Sequence, residues 1–384
     1  HDALPISNEL YPIGSYQNST GSDKTIGEVS GKIDRVLDLV ENPDLFELDV
    51  IVEGGLGTIF CSTKDKFNGV VSDGIYDETL VWDSLSGLSG DLDEPLTSNT
   101  QTNYSTIFTK FNTFCEKSRK DCIFIADPIR QIFVTGENSR VLTQTYEDTG
   151  SSKRIPKNFS SYITKYLKNQ FRGANSSYAV VYGNWVKVYD DSAKKQVWVP
   201  YSGFAASLMA NLDYPWEAPA GLTRGINSNI NDIAIYPKQK ERDQLYKDSI
   251  NPVAFFPNEG FVTWGQKTML KKPSAFDRVN VRRAFLFLEK ATLRTSKYFV
   301  FEPNTLFTRT QVVNVLEPLF ENVKNKDGIR DYIIVCNEKN NIDEVIEQNQ
   351  LKIDIYIKPT KIAEFILVDF IATRQDASFQ ELIG

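Results

Sequence analysis

The sequence predicts an α/β unit followed by an α+β unit. Two patterns carry this. Between residues 26 and 249, segments with apolar residues at helical spacing alternate with short apolar runs closed by turn residues, as expected of helices packed on a central sheet. From about Val253 the order changes to longer helices and an alternating segment, Leu351–Ile357, that reads as a half-buried strand. A chain of 384 residues fits two or three domains at roughly 100–200 residues each.

The elements follow in order. His1–Ser7 resembles translated read-through of a sequencing adaptor and lacks the basic and apolar regions of a secretory signal, so it is expected to be foreign and the natural chain to extend upstream. Residues 8–25 read as a polar linker. Ile33, Val36, Leu37 and Val40 mark a helix that Asn42-Pro43 ends. Leu48–Val52 reads as a strand and Glu53–Gly57 as the turn after it. Ser62–Thr102 and residues 131–156 read as long insertions. Tyr104–Arg119 has helical spacing, Asp121–Ala126 is a buried strand closed by Asp127-Pro128, and Phe159–Phe171 is a further helix. Tyr178–Tyr182 and Trp185–Tyr189 flank Gly183-Asn184 and predict a hairpin. Val197–Ala210 reads as a turn leading into a small-residue helix, Ile233–Tyr236 as a strand, and Gln239–Lys247 as a polar helix.

A domain boundary is placed at residue 250, so that the first unit spans 26–249 and the second 250–384. The second unit is expected to hold a strand at Phe261–Gln266 and a helix from Asp277, acting as cap, to Ser296. A helix at Thr308–Lys324, a strand at Tyr332–Cys336, a short helix at Ile342–Gln348 and strands at Leu351–Ile357 and Ala363–Thr373 complete it.

Composition narrows the function classes. Net charge is −7, which disfavours a nucleic-acid binder, since neutralising many phosphates calls for a basic surface. No run of about 18 apolar residues suggests membrane insertion. The single histidine is His1, so the residues after it supply no imidazole for a Ser-His or Cys-His pair or for a histidine-ligated metal. The four cysteines, Cys61, Cys115, Cys122 and Cys336, lack paired zinc spacing and read as buried free thiols. No cofactor is implied.

Three candidate sites remain. Glu53 and Asp127 each follow a predicted strand, at the sheet edge where α/β proteins bind ligands, and would serve an α/β enzyme as acid and base or hold Mg²⁺. Strand-end turn residues are the plainer reading. Gly54–Gly57 lacks a phosphate-loop pattern and reads as a turn. The basic set Lys271, Lys272, Arg278, Arg282, Arg283, Lys290 and Arg294 contains two i,i+4 pairs and reads either as a solvated helix face or as contact with an acidic partner. The C-terminal strand and tail, with Glu364, Ile366, Val368, Phe370, Phe379 and Leu382, read either as an ordinary strand or as an edge for strand addition between subunits.

Three blocks resemble contractile (myovirus-type) phage tail sheath proteins. The first is Val199-Pro-Tyr-Ser-Gly-Phe-Ala-Ala with Trp216-Glu-Ala-Pro-Ala-Gly221 and Arg224-Gly225. The second is Ile250-Asn-Pro, Gly260, Thr263-Trp-Gly265 and Thr268. The third is Val281-Arg-Arg, Leu288-Glu-Lys and Phe301-Glu-Pro-Asn304. The resemblance covers roughly the second half of the chain. It implies a sheath C-terminal domain over 250–384, a middle sheath domain over 26–249, and no enzymatic site. It implies hexameric rings of this chain stacked around a tail tube protein, partnered by baseplate and tail terminator proteins. Such rings contract to drive the tube through the host envelope, and terminal arms complete sheets between subunits. It further implies assembly in the host bacterial cytoplasm and residence in the virion tail. The sheath of a phage-derived injection or secretion apparatus shares this fold.

Overall fold

The computed structural model describes residues 26–56, 98–129, 133–135, 139–140, 164, 167–168, 170–192 and 194–364. The first unit is built on a parallel three-stranded sheet in the order β1 (Val50–Val52), β2 (Ile123–Ala126), β5 (Ala179–Val181). Its three strands are short, but β2 is buried on both faces, so each alternate residue feeds a different core. Phe124 and Ala126 face a cluster with Ile33 and Leu37 of α1 (Ile26–Leu39) and Ile107, Phe108 and Phe111 of α2 (Ser98–Thr113). Ile123 and Ile125 face the opposite cluster, with Tyr201, Ala205 and Met209. These lie in and beside α3 (Ser202–Ala210), the small-residue helix the sequence predicts. Helix α2 ends in a π-helical turn, Phe114–Arg119, closed by Lys120 in the left-handed region (φ 63°).

Between β2 and β5 lies a short antiparallel pair, β3 (Val134–Thr135) and β4 (Ser139–Arg140). A second sheet follows in the order β7 (Lys195–Pro200), β6 (Trp185–Asp190), β9 (Asp232–Ile233). The predicted hairpin across Gly183-Asn184 does not form: β5 pairs in parallel with β2, while β6 turns away to pair with β7 and β9. Asn184 is fully buried, and its side chain explains the break. Its Nδ2 donates to the carbonyls of Ile235 (2.8 Å) and Val253 (3.3 Å), and its Oδ1 accepts from the backbone N–H of Trp185 and Ile235. The residue that would favour a tight hairpin turn is instead a junction between sheets. Val197–Pro200, read as a turn, belongs to β7.

Beyond the single turn α4 (Gly221–Arg224) and helix α5 (Gln239–Lys247), the chain crosses residue 250 without leaving the core. Asn251 is fully buried beside β5 and bridges to Tyr182. Its Nδ2 donates to the carbonyls of Val181 (3.0 Å) and Lys267 (2.8 Å), and its Oδ1 accepts from Lys267 N–H at 2.7 Å. A third sheet, β10 (Val253–Phe256), β11 (Gly260–Thr263) and β8 (Ile226–Asn227), continues from there, and Val253 shares a core with β2 and α3.

The last elements are α6 (Val279–Ser296), α7 (Leu306–Asn325), β12 (Ile329–Val335), α8 (Asp343–Glu347) and β13 (Asp354–Pro359). Asp277 is not the cap of α6: it sits in a 3₁₀ turn, Ala275–Asp277, whose own cap is Ser274. Helix α7 is capped by the hydroxyl of Thr305, which accepts from Thr308 N–H. Helix α6 packs on two sides. Val279 and Leu286 pack into the core against β2, while Ala284 and Leu288 pack with Leu316 and Phe320 of α7 and with Trp216. Strands β12 and β13 pair antiparallel, with Tyr332 opposite Ile357 and Ile334 opposite Ile355 on the face packed toward α7.

Two glycines of the resembling blocks can be tested against this packing. A Cβ on Gly225 would lie 2.7 Å from the Thr263 carbonyl oxygen and 2.8 Å from Gly221 backbone atoms, none of which can rotate away. A Cβ on Gly203, inside α3, would meet nothing within 4 Å. Gly225→Ala is therefore expected to destabilise by about 1–3 kcal/mol. Gly203→Ala should be neutral or stabilising by up to about 1 kcal/mol. Urea unfolding of both variants checks the contrast.

Candidate assembly surface

Glu53 and Asp127 do meet, as two carboxylates following β1 and β2 should, but they meet inside the protein. They are 2% and 1% exposed. Glu53 Oε2 accepts from Asp127 N–H at 3.0 Å and from the Tyr104 hydroxyl at 3.3 Å. Asp127 accepts from the backbone N–H of Ser202 and Gly55 at 3.0 and 3.2 Å and from the Ser202 hydroxyl at 2.5 Å. The Tyr104 hydroxyl also reaches the Asp127 carbonyl at 3.0 Å. The protein's own donors thus occupy these oxygens, and the pair ties α2, the β1 turn and the start of α3 together. An enzyme using Glu53 and Asp127 on substrate finds no exposed carboxylate here. Gly54 and Gly55 both adopt positive φ, as the turn reading requires.

Burial pushes the Asp127 carboxyl up to about 6, partly offset by its hydrogen bonds from Ser202 and Gly55, and burial also raises the Tyr104 hydroxyl.

The basic set divides once the fold brings distant residues together. Arg282 and Arg283 are not surface cations. Arg282 is 7% exposed, donates to the Ser177 hydroxyl, and lies flat between the rings of Phe276 (4.0 Å) and Tyr178 (4.3 Å). Arg283 donates to the Met209 carbonyl at 2.8 Å. Burial lowers both guanidinium pKa values. The reason is the dual packing of α6: residues 282 and 283 face the first unit, and the aliphatic stems help fill it.

Arg278 makes a two-pronged bond to Glu364, at 2.6 and 2.9 Å, and pairs with Asp277. Glu364, predicted in an inter-subunit strand, is therefore held by its own chain and follows the end of β13 outside any strand. Ile366, Val368, Phe370, Phe379 and Leu382 lie outside the described residues.

Further along α6, Lys290 pairs with Asp49 and Arg294 with Glu47, and just past its end Lys297 pairs with Asp44. This basic face is matched by the acidic segment before β1, across more than two hundred residues of sequence. Lys271 and Lys272 remain exposed, with the Lys271 ammonium donating to the Arg172 carbonyl.

What the surface does present is the β12–β13 pair. Among the described residues each strand pairs only with the other, so both outer edges lack a strand neighbour. On the outward face Ile333 stands opposite Tyr356, exposed by 58% and 63%. A two-stranded sheet is marginal alone, and an apolar cross-strand pair facing outward is a surface suited to being covered. Sequence reasoning placed the open strand beyond residue 362 and missed this one. The signal was present in the regular alternation of Leu351–Ile357.

The fold is similar to those of proteins from contractile systems. The structure aligns with a protein of the anti-feeding prophage baseplate at TM-score 0.54 and 17% identity, covering 71% of this chain and 66% of that one. It also aligns with the contracted sheath complex of the extracellular contractile injection system PVC, at TM-score 0.51 and 17% identity, covering 86% and 92%. Sequence similarity runs in the same direction. Residues 271–373 match the phage tail sheath C-terminal domain, so this part of the chain carries that domain. The chain is 36% identical to the tail sheath protein of Vibrio phage KVP40 over 269 residues, and 34% identical to that of Enterobacteria phage T4 over 270 residues. These matches cover 69% and 70% of this chain and 39% of each relative, so it is a homologue spanning well under half of their length.

Two outcomes follow. The folded Asp127 carboxyl titrates above its ordinary 3.8, so its protonated form favours folding; that contribution is complete below about 3.8 and is lost as pH rises to about 6. Between pH 4 and 6.5 the Asp127→Asn variant should gain on the parent by up to about 3 kcal/mol, from about 2 pKa units at 1.36 kcal/mol each; unfolding titrations at both pH values check it. Arg282→Glu should lower the melting temperature by itself, costing about 3 kcal/mol or more by placing a carboxylate between two rings, whereas Lys272→Glu should leave it unchanged.

Proposed function

We propose that this chain is a structural subunit of a contractile phage tail sheath. In that role it polymerises as rings around a tail tube and contracts to drive the tube through the host envelope. The observation that carries the reading is the β12–β13 pair, open at both edges and apolar on its outer face, inside the stretch that matches the sheath C-terminal domain. Strand addition from neighbouring copies would pair those edges, each hydrogen bond contributing a net 0.5–1.5 kcal/mol or so. Summed over the copies of a ring, weak links of this kind hold rigid subunits together while they rotate.

The partners in this reading are further copies of the chain, a tail tube protein, and baseplate and terminator proteins. It acts without catalysis, in the virion tail, after assembly in the host cytoplasm. In this reading the chain keeps two units divided at residue 250, with α6 packing on both. The sequence identities of 34–36% are to phage proteins, whereas the injection-system structures are alike in fold at 17% identity; this favours a phage tail over an injection apparatus.

Negative-stain microscopy of the complete protein, with and without its tube protein, tests the reading. Rings or tubes are expected. Ile333→Lys combined with Tyr356→Lys should abolish them while leaving the thermal melt of the unassembled subunit within about 0.5 kcal/mol of the parent, as for other exposed positions. A complete protein that stays monomeric at high concentration alongside tube protein contradicts the proposal.

A further inference from the structure

The sheath reading makes no use of the π-helical turn at the end of α2 or of the two thiols it brings together. Cys115 lies in that turn and Cys122 immediately precedes β2. Both are fully buried, both are free, and their sulfur atoms are 3.5 Å apart. The backbone on either side is fixed. Lys120 N–H donates to the Cys115 carbonyl at 3.0 Å and closes the turn, and Ile123 N–H donates to the Asp49 carbonyl at 3.0 Å. Between them the Arg119 side chain, paired with Asp121, donates to the carbonyls of Val40 and Phe46. The turn is therefore held from both ends with the sulfur atoms in contact, and π-helical turns of this kind concentrate at functional positions.

We propose that Cys115 and Cys122 form a latent redox clip, a dithiol that closes to an intrachain disulfide when the folded protein meets a two-electron oxidant such as a hydroperoxide. Closure needs the sulfur atoms to approach by about 1.5 Å, to the roughly 2.05 Å of a disulfide. One cysteine, as its thiolate, attacks a peroxide oxygen; the O–O bond breaks, a sulfenic acid forms, and the departing hydroxide takes the thiol proton as water. The second sulfur then attacks the first, the S–S bond forms, and the sulfenic hydroxyl leaves with the second thiol proton as another water. Two thiols and one hydrogen peroxide give one disulfide and two waters. The hydrogen bond with Cys122, and then burial, raise the Cys115 pKa, so closure is slow and the dithiol persists in a reducing compartment. The clip would fasten the end of α2 to the start of β2, beside the Arg119 ties.

The test is peptide mapping of the complete folded protein after exposure to hydrogen peroxide, with remaining thiols capped by N-ethylmaleimide in denaturant. A Cys115–Cys122 linked peptide is expected in most chains, with Cys336 recovered as capped thiol, and a melting temperature above that of the reduced protein. The Cys122→Ser variant should give no such peptide and no rise in melting temperature. Recovery of both cysteines as capped thiols or sulfinic acids overturns the proposal. So does their linkage to Cys61 or Cys336, or a Cys115–Cys122 link that forms only in urea. These outcomes are independent of whether the chain assembles.

Discussion

Short strands leave backbone donors and acceptors without partners, and in this protein buried side chains supply them. Among the described residues the sheets contain two or three strands each, and their ends meet in the interior. An unpaired buried amide costs about 1–3 kcal/mol, so a fold assembled from such fragments stands only if each junction is satisfied. Asn184 does this between β6, β9 and β10, Asn251 between β5 and the Lys267 strap, and Glu53 with Asp127 between the ends of β1 and β2 and the start of α3. The surface presented by the last unit depends on these junctions, because α6 rests on the core they hold together.

The same logic separates the arginines. Removing an arginine's charge from water is costly unless rings and oxygen atoms receive it, and Arg282 is received by two rings and a hydroxyl. Farther along α6, Arg294–Glu47 is exposed, screened by solvent and contributes little, while Lys290 is half-buried and also donates to the Leu48 carbonyl. Their role is register: they align the helix along the segment that leads into β1.

Helices were legible from sequence because their signal is local. Gln239–Lys247 and the bulk of Val279–Ser296 and Leu306–Asn325 fall where the sequence places them. Strand pairing was not legible where one side chain overrides the local turn. Gly183-Asn184 carries the composition of a hairpin turn, yet the Asn184 amide is committed to Ile235 and Val253, fifty or more residues away. The side-chain partners of the candidate site residues were hidden for a related reason. Arg278 and Glu364 are 86 residues apart and Arg282 and Ser177 are 105 apart, so their pairing is invisible to any reading along the chain. The proximity of Glu53 and Asp127 was legible because both follow adjacent parallel strands; their burial was not, because Tyr104 and Ser202 cover them from helices whose docking at this sheet edge is not written along the chain.

The central claim is that β12 and β13 are an assembly surface held ready by the core. Amide hydrogen exchange measured on free subunits and on assembled particles addresses it most directly. The account predicts slow exchange at the buried junctions around Asn184 and Asn251 in both states. It predicts strong new protection on assembly confined mainly to Ile329–Val335 and Asp354–Pro359. Assembled particles in which those two strands exchange as fast as in the free subunit would contradict it.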